Sequence, residues 1–351
     1  MNNDSQHVSV RLPKLFVSFL SEEPRTNPHY QTVKPISEDA IVQFCNFNDQ
    51  EARAISTCSF SYFMAVVVPD AEISYYRVLC DWGNWVFPFD DLFDNGYLCK
   101  NKLAGRSMMD ALMQPMLEST PLASEGIVKR PRILAFHDTV WYRMQLSASQ
   151  GTLARFIQAM KDYTEGVVAH TGQASNHTRF DCEKTLQERR KSAGVTPVFA
   201  LAEYALQLDM PDEIMQHPII KEIRFLGVDF VVLHNDILSY RKEELDDVPH
   251  NMVASCRRAG MTAQQAFDHL GNMLTSRHLK LTDLLRRLPS WDPKTNGQAQ
   301  RYIDSVLNTV RANLYWSYVS GRYFGSEGDT IKQTGQIMVL RNPPWLHSNV
   351  L

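Results

Sequence analysis

From about residue 35 onward apolar side chains recur at i, i+3, i+4 and i+7, the period of a helix that lays one face on a core. In RYIDSVLNTVRANLYWSYV the stripe runs through Ile303, Val306, Leu307, Val310, Leu314 and Val319. Alternating runs are few. MAVVVP is rich in β-branched residues, but no partner strand is apparent, so it reads as the end of a buried helix. Breakers part the helical stretches at Pro69-Asp70, at NGYLCKNK after Asp94, at Pro121, Pro131, Pro197, Pro211-Asp212 and Pro249, and at Pro289 with Pro293. The pattern predicts an all-α chain of roughly ten to twelve helices. The opening stretch carries Pro13, Pro24, Pro28 and Pro35 and little periodicity. It reads as an N-terminal arm over residues 1–35, lying on a helical domain over 36–351.

Composition narrows the partners rather than the fold. With 44% hydrophobic and 21% charged residues among 351, the chain can bury a sizeable core. A net charge of -3 without a basic stripe excludes nucleic acid and an anionic membrane surface as expected partners. Six cysteines without a CxxC pair signal neither a zinc site nor a disulfide framework. The polar opening MNNDSQHVSVRLPK lacks an apolar leader core, and no stretch reaches the ~18 apolar residues of a membrane span. A soluble, cytoplasmic protein is expected, in which the sequon Asn176-His177-Thr178 is idle.

Against this background FPFDDLFDN stands out, because it sets Asp90, Asp91 and Asp94 among phenylalanines. On a helix Asp90 and Asp94 face the same way one turn apart, and two such charges repel unless a cation lies between them. Oxygen-only ligands suit a hard divalent ion such as Mg²⁺, which keeps positions for water and substrate phosphate. Trp82, Trp85, Phe87 and Phe89 precede the acids, so the helix is expected to be buried along its length and to present carboxylates at its C-terminal end.

A second oxygen set follows in VDFVVLHNDILSYRKEE, where Asn235, Ser239 and Glu243 recur at i, i+4 and i+8 and share a face. An amide, a hydroxyl and a carboxylate bring one negative charge to a second metal position, the rest being left to the substrate. Alone this pattern is weak; paired with DDLFD it is strong.

With both motifs in place the chain resembles a class I terpene synthase, specifically the single-domain fungal, basidiomycete-type sesquiterpene cyclases, over nearly its whole length. RTNPHY near the N-terminus is similar to that type. The resemblance implies an α-helical bundle around an apolar active-site cavity. It implies three Mg²⁺ ions, with Mn²⁺ able to substitute, on Asp90, Asp94, Asn235, Ser239 and Glu243. Within DDLFD, Asp90 is expected as the principal ligand, Asp94 as a secondary one or an arginine partner, and Asp91 behind them. A diphosphate-sensing arginine is expected in QERRKSAGVTP, best matched by Arg189, with Arg190 as the alternative. A helix break is expected there at Ala193 or Gly194.

Lys242, Arg322 and Tyr323 complete the implied diphosphate contacts, and Phe63, Phe87 and Trp316 the implied cavity wall. The implied activity is a lyase reaction: ionisation of a prenyl diphosphate, expected to be farnesyl diphosphate, and cyclisation of the cation to a sesquiterpene hydrocarbon or alcohol. The alternatives are a chain-elongating prenyl diphosphate synthase, for which ELDDVPH at Asp246-Asp247 lacks a third acid, and a non-catalytic isoprenoid-binding protein. Relatives of this kind are often homodimers, and the sequence leaves that state open.

Overall fold

The structure, a computed structural model, describes residues 6–94, 96–99, 101–118, 130–170, 182–246 and 251–346. The helices are α1 (Tyr30–Cys45), α2 (Asp49–Cys58), α3 (Phe60–Val67), α4 (Ile73–Asp94), α5 (Lys102–Leu117), α6 (Arg132–Gln145), α7 (Gln150–His170) and α8 (Cys182–Ser192). After them come α9 (Val195–Ala205), α10 (Asp212–Met215), α11 (Pro218–Asp246), α12 (Met252–Arg258), α13 (Ala263–Arg286), α14 (Pro293–Val319), α15 (Gly321–Phe324) and α16 (Gly328–Thr334). The fold is all-α, as expected, with more helices than the pattern suggested.

The extra divisions have local causes. Ser59, at φ 51°, separates α2 from α3 without a proline or glycine, and Gly194, at φ 66°, separates α8 from α9. Pro197, read as a breaker, sits in the first turn of α9, where a missing backbone N–H costs nothing. Pro35, Pro88 and Pro115 lie inside α1, α4 and α5. The breaks expected at Pro121 and Pro249, and the sequon, lie outside the described residues.

Helix starts follow capping chemistry. Asn48 with Glu51 and Thr262 with Gln265 form capping boxes on α2 and α13. Asp292 caps α14 with Pro293 at its first turn. MAVVVP is the end of α3, and Met64 through Val68 are all buried. The α14 stripe is buried at Ile303, Val306, Leu307, Val310 and Leu314, while Val319 at its end is exposed.

One region departs from the expected arm. Its last residues already belong to α1, and its first form β1 (His7–Arg11), antiparallel to β2 (Gln336–Leu340), with His7 opposite Leu340 and Arg11 opposite Gln336. Strands this short, whose partner lies at the other end of the chain, leave no local periodic signal. Glu244 of α11 accepts the Leu340 N–H at 2.9 Å, and Arg257 of α12 donates to the Leu340 and Arg341 carbonyls at 2.9 and 2.7 Å. The ribbon is thereby moored to the last turns of α11.

Successive packing of α4 on α3, α3 on α14, α14 on α11, α11 on α8 and α8 on α7 makes an arc of helices. The Tyr163 hydroxyl of α7, donating to Asp90 of α4, closes it into a ring. Gly227 allows α11 its approach to α14: a Cβ there would stand 2.6 Å from Val306 Cγ1.

Candidate active site

α4 is buried through Trp82, Trp85 and Phe89 and ends at Asp94, so its last turn delivers the acids to one end of the ring. Burial, and then the neighbouring Asp94 charge, pushes the Asp90 pKa well above the carboxylate range, although the Tyr163 hydroxyl bond opposes the shift. Asp94, more exposed at the rim, is pushed up to about 6 by the protein packed around it and then by the charges of Glu243 and Asp91. Asp91 turns aside and takes Arg322 in a two-pronged pair at 2.8 and 3.4 Å. The arginine partner considered for Asp94 thus belongs to Asp91, since the next helical position points ~100° away, here toward α15.

On α11, Asn235 donates its amide to the Tyr323 hydroxyl at 2.7 Å. Ser239 is fully buried and its hydroxyl has no hydrogen-bond partner among the described residues. Glu243 accepts from the Asn251 amide at 2.8 Å. Between Asn235 and Ser239 lies Asp236, which grips Arg189 of α8 at 2.6 and 3.3 Å and accepts the Met252 N–H at 2.8 Å. Arg189 also reaches the Asn235 amide oxygen at 3.5 Å. Burial opposes its charge, but Asp236, then Glu243 and Asp94, hold its pKa above the ordinary arginine value.

Arg190 points away from this group. It pairs with Asp229, which also takes Arg277 at 2.7 Å, and it lies 3.9 Å over the Phe225 ring. Of the two arginines only Arg189 faces the acids. Lys242, half-buried, precedes Glu243 on the same helix. The expected helix break falls at Gly194, whose left-handed backbone strains any L side chain, and it lies beside the Tyr163 ring. The residue that bonds Asp90 therefore also packs on the break.

The aromatics gather on the α14 side. Phe87 stacks on Phe60 at 3.8 Å, and Trp316 stands 5.2 Å from Phe87 and 5.9 Å from Phe63. Arg322 lies 5.4 Å above the Phe87 ring, so the charged and apolar groups are contiguous. Phe87 is half-buried, whereas Trp316 has no exposed surface and donates its indole N–H to the Cys58 carbonyl at 2.7 Å. Trp316 therefore backs the other rings instead of offering an accessible face.

Among the described residues no three His, Cys, Asp or Glu side chains converge as a ready-made metal cage. The donors are instead split between facing walls, with Asp90 and Asp94 on one and Asn235, Ser239 and Glu243 on the other. All are oxygens, two carboxylates are held at raised pKa by burial and then by neighbouring charge, and a buried hydroxyl lacks a partner among the described residues. Such a set fits hard divalent cations that keep positions for another ligand.

Tyr163, Asp236, Asn251 and Phe60 were not legible as site residues. Asp236 had a signal, a lone charge inside the apolar run VVLHNDIL, and Asn251 had another as a cap before MVAS. Tyr163 and Phe60 had none, since their roles arise from contacts between helices distant in sequence.

Comparison with known proteins agrees with this geometry. The family described as terpene synthase family 2, C-terminal metal binding, matches residues 81–278, a span that includes both walls and stops short of Arg322-Tyr323. Silphinene synthase peniA of Penicillium patulum is 34% identical over 97% of this chain and 92% of its own length. Sesquiterpene synthase 2 of Postia placenta is 28% identical over 97% of this chain and 98% of its own. Germacradien-4-ol synthase of Streptomyces citricolor superposes with a TM-score of 0.71 at 21% identity, over 84% of this chain and 96% of that one, a likeness of fold alone. A family match over more than half of the chain and a relative this similar over nearly all of it mean that the chain belongs to the terpene synthase family, as a class I enzyme.

Proposed function

We propose that the protein ionises farnesyl diphosphate in a Mg²⁺-dependent step and cyclises the resulting cation to a sesquiterpene. The observation that carries this reading is the contiguity of two opposed oxygen walls, the cationic side chains Arg189 and Arg322 and an aromatic cluster at one end of the helical ring. Asp90 and Asp94 on α4, and Asn235, Ser239 and Glu243 on α11, would hold the metal. Bound there, Mg²⁺ supplies positive charge to the diphosphate as it becomes a leaving group.

The chain's own groups account for the rest. Arg189, fixed by Asp236, would meet the diphosphate from α8, and Lys242 from α11. Arg322 and Tyr323 would exchange Asp91 and Asn235 for diphosphate oxygens, which links substrate arrival to closure of α15 over the site. When the C–O bond breaks, its electron pair leaves with the diphosphate and the carbon chain remains as an allylic cation. Phe87, backed by Phe60, Phe63 and Trp316, offers π-faces worth ~0.5 to 2 kcal/mol each and no nucleophile. Loss of a proton then gives a hydrocarbon, and capture of water followed by loss of one of its protons an alcohol.

A C15 substrate is preferred because one relative over nearly the full length is named a sesquiterpene synthase. Purified protein incubated with geranyl, farnesyl or geranylgeranyl diphosphate, with Mg²⁺ or with chelator, tests the reading by gas chromatography and diphosphate release. Cyclic C15 volatiles that require Mg²⁺ are expected, and Asp90→Ala and Asn235→Ala should each abolish release. Near-wild-type turnover in both variants would sink the assignment.

A further inference from the structure

Asn251 precedes α12, is 1% exposed, and belongs to none of the motifs that drew attention to the site. Its side-chain oxygen accepts the Val253 N–H at 2.7 Å and the Ala254 N–H at 3.3 Å, an N-cap. Backbone N–H groups only donate, so these two bonds fix which end of the amide is oxygen. Its NH₂ must then face α11, where one hydrogen goes to the Asp236 carbonyl at 2.7 Å and the other to Glu243 Oε2 at 2.8 Å. Both amide hydrogens and the oxygen are used. An aspartate would cap α12 as well, so capping alone does not call for an amide here; the two donors toward the Asp236 carbonyl and Glu243 do.

We infer that Asn251 is a positioning residue for Glu243: by occupying Oε2 with a neutral donor it turns Oε1 toward the space between the walls, in the orientation a metal ion requires. The inference rests on the reading of Glu243 as a ligand. The next residue extends the same brace, because the Met252 N–H holds Asp236, which holds Arg189. One helix start thereby orients a carboxylate and an arginine that would act on opposite charges.

The test is Mn²⁺ binding in the presence of inorganic diphosphate, followed by the paramagnetic signal of free Mn²⁺, on the full chain. Asn251→Asp keeps the cap but sets a charge against Glu243, and should weaken Mn²⁺ binding about 10- to 100-fold. Asn251→Ser keeps a capping oxygen, adds no charge and loses both amide donors; it should weaken binding less, with a metal-free melting temperature lowered by loss of the Asp236 carbonyl bond but a folded chain. On a Glu243→Ala background Asn251→Ser should add no further loss, because the two residues act as one unit. Wild-type affinity in both folded variants, or an undiminished extra loss in the Glu243→Ala background, overturns the role of Asn251. Failure of the wild-type protein itself to bind Mn²⁺ with diphosphate overturns the metal reading, and this inference with it.

Discussion

Around Asn235 on α11, Asp236 has Arg189 and a backbone N–H, Glu243 has the Asn251 amide, and Asn235 has the Tyr323 hydroxyl. Across the site on α4, Asp90 has the Tyr163 hydroxyl, and its nearest charged neighbour is another acid. The first wall is braced before any ligand arrives. The second carries the cost of burial and then of like charge, which a bound cation would relieve. On the proposed function the contrast would give different work to two sets of oxygens that look alike in sequence: α11 would fix where the metal and diphosphate sit, and α4 would supply the electrostatic gain on binding them.

Charge-removing substitutions test this contrast most directly. Asp236→Ala leaves the Arg189 guanidinium buried without its carboxylate, and should destabilise the metal-free protein by about 3 to 5 kcal/mol, the usual cost of breaking a buried pair from one side. Asp90→Asn keeps an acceptor for the Tyr163 hydroxyl while removing one of the repelling charges. Its metal-free melting temperature should hold or rise, even though diphosphate release is lost. Thermal melts in chelator check both, and equal destabilisation by the two substitutions would erase the distinction between the walls.

The sequence carried much of the ring and of both walls, because those features repeat at helical spacing: one turn separates Asp90 from Asp94, and one turn each separates Asn235, Ser239 and Glu243. It carried less of what holds them. Tyr163 reaches Asp90, and Asn251 reaches Glu243, through contacts that no periodicity records. The choice between Arg189 and Arg190 is of the same kind, since neighbouring helical positions differ by ~100° in direction and only the packing of α8 on α11 decides which one looks inward. The β1–β2 ribbon was missed because each strand finds its partner at the opposite end of the chain.

The aromatic cluster sharpens the comparison, because it is drawn from α3, α4 and α14 and owes nothing to α11. If the braced wall fixes the diphosphate, changes on the aromatic side should leave metal-dependent diphosphate binding intact and redistribute products. Phe87→Ala should shift product ratios by about fivefold, the effect of ~1 kcal/mol of cation stabilisation. Trp316→Ala should act through the rings it supports, so its product profile should move in the same direction as that of Phe87→Ala. An unchanged chromatogram with lost diphosphate binding would place Phe87 with the diphosphate instead, through Arg322 above it.

Each wall also has a buried imidazole behind it. His137 packs 4.5 Å from Trp85 of α4, and His234 lies in α11 itself; neither ring nitrogen of either residue has a hydrogen-bond partner among the described residues. Burial, and then Arg130, lowers the His137 pKa to about 3. Since the folded value lies below the unfolded one of ~6.5, the unfolded chain gains a proton that the folded chain refuses, and stability falls as pH drops from ~6.5 toward 3. Between pH 7.5 and 6 this amounts to about 0.8 kcal/mol for one such histidine. His137→Phe keeps an aromatic ring against Trp85 and removes the titration, so chelator-treated protein should lose part of its acid sensitivity in urea melts across that range. On the α11 side burial, followed by the neighbouring His278, lowers His234 in the same direction, whereas Asp94 and Asp236, both raised to about 6 by burial, act in the opposite one. An unaltered pH dependence in His137→Phe would exclude His137 as an acid-sensitive point behind the α4 wall.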